Sequence, residues 1–147
     1  MSASGRDGAR GSGLLRLVAA LGLLVGGWVH LCLYRQGYEY IPTIGTLFLV
    51  NVAASVVAAT ALLLRRSFVV RVGAALVCLG TLAAFVATRR PGGLFHFEER
   101  GLEPHPQALI AIGAETFALL ILLVTFGFDR AARAVDPAAG PVPLSRR

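Results

Sequence analysis

HLCLYRQGYEYIPTIGTLFLVN, His30–Asn51, ends one apolar run, turns through a short loop marked by Tyr and Pro, and begins another. Upstream, the apolar run reaches back to Leu14; downstream, IGTLFLVNVAASVVAATALLL carries no charge at all. Two further apolar runs follow, so that four runs lie at about 15–34, 44–64, 69–88 and 108–128. Each has the roughly 20-residue length that crossing a bilayer core requires. Backbone facing lipid must satisfy its own hydrogen bonds, which makes each run a helix. The expected fold is therefore all-α, a four-transmembrane-helix antiparallel bundle with one longer loop at 89–107. Residues 1–13 and 129–147, rich in Gly, Ser, Arg and Pro, have little to bury and are expected to be disordered cytoplasmic ends flanking a membrane domain at 14–128.

Composition agrees. The 147 residues are 56% hydrophobic with mean hydropathy +0.71, above the roughly 45–50% of soluble domains. The net charge of +6 comes from 14 Arg and no Lys. These Arg flank apolar runs, which points to lipid headgroups and away from nucleic acid. Arg6 and Arg10 resemble the start of a signal peptide, but the run after them outlasts the usual core of about 7–15 residues and no cleavage motif follows. Ten Arg fall on the side of the termini and four, Arg35, Arg89, Arg90 and Arg100, on the other. The positive-inside rule then places both termini in the cytoplasm. Arg16 and Arg71, just inside their runs, are expected to snorkel to headgroups. Tyr34, Tyr38 and Tyr40 mark the outer interface.

Helices in lipid associate through small residues and a few polar contacts. At about 100° per residue, one stripe of small residues appears on each helix: Ala19, Gly22, Gly26 and His30; Asn51, Ala54, Ser55, Ala58 and Ala59; Ala74, Cys78, Thr81, Ala84 and Thr88; Ala108, Ala111, Glu115, Ala118 and Thr125. Asn51 and Glu115 are each the eighth residue from the outer end of their runs, about 10 Å deep at helical rise. Thr81 and His30 lie in the same outer half. A polar cluster of His30, Asn51, Thr81 and Glu115 is the candidate site. Glu115 is the residue that most needs an explanation, since an acid near a helix centre costs about 2.5–3.5 kcal/mol on insertion scales. Two readings of it stand: a neutral acid bonding helices together, or a proton, ion or small-ligand site.

Other chemistry finds no footing. Cys32 and Cys78 have no metal-ligand spacing and differ in depth, so they read as packing residues. His96, Glu98, Glu99, Glu103 and His105 fall within ten residues but match no metal motif, and a solvated acidic loop is the expectation. No second His lies in any run to complete a bis-His haem. No nucleophile elbow, phosphate loop or zinc motif occurs, so no cofactor or enzymatic activity is expected. The favoured role is an accessory or scaffold subunit that contacts another membrane protein or a second copy. The alternatives are a small proton-coupled transporter or ligand-binding protein using Glu115, and a cofactor-binding membrane enzyme.

The string H-L-x-L-Y-x-x-G-Y-x-x-I-P-T-I-G-x-L-F-L-x-N, with the four-span layout, resembles small four-span integral membrane proteins of high-GC actinobacteria. The resemblance implies a cell-membrane location and carries no activity and no functional residue.

Overall fold

The computed structural model describes residues 3–135, with side-chain surroundings for residues 11–128. The described residues form four α-helices: α1 (Ala3–Arg35), α2 (Ile44–Leu64), α3 (Phe68–Thr88) and α4 (Gln107–Val135). A 3₁₀ turn at Tyr38–Tyr40 joins α1 to α2. The stretches long and apolar enough to cross a membrane are Gly11–Arg35, Ile44–Leu64, Phe68–Thr88 and Gln107–Phe128, which agree with the four runs read from sequence to within a few residues. The ends differ. Helix α1 begins at Ala3 and α4 continues to Val135, through segments expected to lack structure. Extending an existing helix adds one hydrogen bond per residue fixed, so a lipid-nucleated helix can run on into polar sequence. Residues 1–2 and 136–147 lie outside the described residues.

Helix α1 packs against α2 and α4, and α3 closes the ring against the same two helices. α1 is the most buried span and α3 the least. Glycine explains the closeness of α1. A Cβ on Gly22 would stand 2.9 Å from Ala118 Cβ and 3.1 Å from the Ala114 carbonyl oxygen, and one on Gly27 would stand 3.0 Å from Ser55 Cβ. Close backbone approach of this kind is how helices gain contact without a hydrophobic driving force. All four small-residue stripes face inward. Toward the termini, Ala19, Leu23, Ala59, Leu62, Ala74, Cys78, Ala118 and Leu122 form one buried cluster. Toward the loops, Val29, Leu33 and Ala111 form a smaller one with Tyr38 and Phe48. Large apolar side chains on all four helices face outward, where lipid would meet them.

The two Arg expected to snorkel are used within the bundle. Arg16 Nε donates to the Leu62 carbonyl at 2.8 Å and its Nη2 to the Leu63 carbonyl at 3.0 Å. These are among the last carbonyls of α2, which have no partner within the helix, and a cation there also meets the negative end of the helix dipole. Arg71 reaches the Thr125 carbonyl at 3.3 Å and lies over the Phe126 ring. Both cysteines are free thiols.

Candidate intramembrane ligand site

Three of the four predicted residues line one cavity, and two of them are bonded to each other. Asn51 Nδ2 donates to Thr81 Oγ1 at 2.6 Å, tying α2 to α3. The Thr81 hydroxyl in turn donates to the Val77 carbonyl at 3.0 Å. Ser55, one turn from Asn51, donates to Asn51 Oδ1 at a long 3.4 Å. His30 Nδ1 lies 2.8 Å from the Gly26 carbonyl. A carbonyl oxygen can only accept, so Nδ1 carries a proton, and a neutral ring then presents Nε2 as an acceptor. His30, Asn51 and Thr81 all line one cavity of about 340 Å³ in the half of the bundle nearest the loops.

The rest of its wall is mostly apolar and partly open, with Thr88, Arg89 and Glu99 at the loop end. Phe48, Ile44, Val77, Phe85 and Ile112 line it. So do Leu47, Val50, Leu76 and Gly80, which are exposed on the outer faces of α2 and α3. The cavity therefore opens sideways between these two helices, within the apolar stretches long enough to cross a membrane.

Glu115 is placed differently. It faces the bundle interior with 0% exposure, as its cost in lipid requires. Yet it lines a layer one turn deeper, against Gly26 of α1 and beside the Cys78 thiol of α3. Neither carboxyl oxygen has a nitrogen or oxygen hydrogen-bond partner among the described residues, the Cys78 thiol being the polar group against it, and it does not line the cavity. The depth count assumed parallel axes that start level. The close approach of α1 to α4 at Gly22 and Gly26 instead sets Glu115 in register with Gly26, below His30.

The loop end of the cavity has a roof. Arg89 forms an ion pair with Glu99 at 2.8 Å, both side chains mostly buried. It also donates to the Gly101 carbonyl at 2.9 Å, to Thr88 Oγ1 at 2.6 Å and to the Glu103 carbonyl, and it stacks 3.5 Å above the Phe85 ring. The Tyr38 hydroxyl donates to Glu99 Oε1. Burial, then the bond to Glu99 and its negative charge, hold the Tyr38 phenol above its ordinary value, with Arg89 pulling the other way. Tyr38 stacks on Phe48 at 4.9 Å, Phe48 meets His30 edge-on at 5.0 Å, and Phe97 meets Tyr38 at 5.9 Å. The loop is thus folded onto the bundle. A tight turn from Arg90 to Phe97 shapes it, with Gly93 at φ +59° where a side chain would strike the Phe97 carbonyl.

Sequence reasoning did not find Phe48, Arg89 or Glu99 as parts of this site. Phe48 sits among equally apolar neighbours. Arg89 and Glu99 read as loop charges in weak local pairs at a solvated surface, whereas the structure buries the pair above the cavity. The acidic loop residues border a more open hollow with His105, which shares Phe97, Glu99 and Pro104 with the cavity. Among the described residues, no three His, Cys, Asp or Glu side chains gather as metal ligands do.

Neither family models nor curated proteins nor solved structures give a match to this chain.

Proposed function

We propose that this four-span protein binds a small apolar ligand, drawn from the bilayer, in the cavity between α2 and α3. The observation that carries the reading is the cavity itself. Its volume of about 340 Å³ lies in the range of small-molecule sites, about 300–1,000 Å³, which combine apolar walls with a few placed polar groups. Here those groups are His30, Asn51 and Thr81, supplied by three helices. The positive-inside count would set the opening in the outer leaflet of the cell membrane. The accessory-subunit role gains no feature of its own, because apolar side chains face outward all round the bundle, as lipid contact alone demands.

The test is mass spectrometry of protein purified in mild detergent, comparing wild type with Ala84→Phe. Ala84 lines the cavity on the loosely packed α3, so a phenyl ring there should obstruct it. An amphiphile retained by wild type and lost from the variant supports the reading. Equal retention by both would contradict it.

A further inference from the structure

The cavity's polar wall carries a hydrogen-bond pattern specific enough to name the class of ligand. Thr81 has no proton left to donate, since its hydroxyl accepts from Asn51 and donates to Val77. Asn51 has one amide N–H committed to Thr81, which leaves its second N–H without a partner among the described residues. His30 commits Nδ1 to the Gly26 carbonyl and makes no hydrogen bond through Nε2 among the described residues. Besides spare lone pairs on the Asn51 and Thr81 oxygens, the wall therefore offers one open N–H donor from α2 and one open imidazole acceptor from α1, in a mostly apolar chamber whose charged groups, Arg89 and Glu99, are paired with each other.

Only some groups answer both. A hydroxyl accepts from the Asn51 N–H and donates to His30 Nε2. An ether, ester or quinone accepts only, and leaves the imidazole lone pair unmet. A hydrocarbon meets neither. A carboxylate or phosphate would bring a charge, and the cation on the wall is already engaged: Arg89 is bound to Glu99, Thr88 and two loop carbonyls. The route of entry narrows the choice further. Exposed Leu47, Val50, Leu76 and Gly80 frame the opening at bilayer depth, so the occupant must partition into hydrocarbon. The small volume suits one chain rather than a two-chain lipid.

Resting on the ligand-binding reading above, we propose that the cavity selects a lipid alcohol, a single apolar chain ending in an uncharged hydroxyl held between Asn51 and His30.

The test uses the full-length protein in nanodiscs and four probes of equal chain length: dodecanol, dodecyl methyl ether, dodecane and dodecanoate. Displacement of a fluorescent fatty alcohol reports affinity. Dodecanol is expected to bind about tenfold or more tighter than dodecane, with the ether between them. His30→Phe and Asn51→Leu should each bring dodecanol down to the level of the ether, while Trp28→Phe, on the lipid-facing side of α1, should leave the order unchanged. Circular dichroism of each variant verifies that the bundle remains folded, and with an unfolded variant the wild-type ranking decides alone. Equal binding of dodecanol, ether and dodecane, or tighter binding of dodecanoate, overturns the alcohol assignment while leaving the cavity reading in place. Binding of no probe at all overturns both.

Discussion

Replacing Gly26 with Ala tests how α1, α4 and the buried acid fit together. A Cβ at position 26 would lie 3.1 Å from Glu115 Cδ and 3.4 Å from Cγ, and would overlap Oε1. The carboxyl cannot swing freely aside, because Glu115 is fully enclosed. Forcing an extra carbon into a filled interior costs about 1–3 kcal/mol, and here about 1.5 is expected. Ala gains little helix propensity over Gly in this setting, since the segment stays helical in the membrane whether or not the bundle assembles. With Glu115→Ala the colliding atoms are gone, and Gly26→Ala should then cost less than about 0.5 kcal/mol. The coupling energy of the double-mutant cycle is about 1 kcal/mol or more, and any cost of Glu115→Ala by itself cancels. Gly22→Ala is the internal contrast. Its Cβ would meet Ala118 Cβ at 2.9 Å and the Ala114 backbone oxygen at 3.1 Å, so its cost should persist whether or not Glu115 is present. Unfolding by sodium dodecyl sulfate in mixed micelles, followed by circular dichroism, gives the four free energies. If Gly26→Ala costs the same with and without the Glu115 side chain, the placement of the acid against α1 is wrong.

The roof gives two more expectations. Arg89→Gln removes the ion pair to Glu99 and the donors to two loop carbonyls; cleavage within residues 90–106 by a protease added to reconstituted protein should accelerate severalfold, and an unchanged rate would show that Arg89 does not hold the loop. For Tyr38, the raised phenol means that the folded form favours the protonated hydroxyl. Its contribution to stability is present in full below the ordinary tyrosine value near 10 and is lost only as pH rises through the higher folded value. The ultraviolet difference spectrum between wild type and Tyr38→Phe should therefore show the Tyr38 phenolate arising above that ordinary value, and titration at or below it would contradict the bond to Glu99.

What the sequence makes legible follows from where the physics is local. Spans such as Ile44–Leu64 declare themselves because bilayer thickness sets their length and lipid removes every alternative to a helix. Inward faces are legible for the same reason: Ala19, Ser55, Cys78 and Glu115 are all buried where their stripes predict. Pairings between helices need more than depth. Asn51 and Thr81 do meet, but Glu115, counted to the same depth, settles one layer lower because glycine contacts set the vertical offset between α1 and α4. Arg16 shows a further limit. Residue type and position suggested a headgroup contact, whereas the unfilled carbonyls at the end of α2 lie nearer and bind it. The cavity is least legible of all, because a void depends on three helices failing to fill a space, and no single segment encodes that.

The claim on which the account turns is that hydrocarbon enters between α2 and α3 and reaches His30, Asn51 and Thr81. A diazirine-bearing alkyl probe in reconstituted bilayers, photolysed and mapped by peptide mass spectrometry, measures this directly. Adducts concentrated on the inward-facing residues Phe48, Asn51, Thr81 and Ala84, and lost in Ala84→Phe, are predicted. Adducts confined to outward residues such as Trp28 and Leu120, with none on the cavity wall, would contradict it.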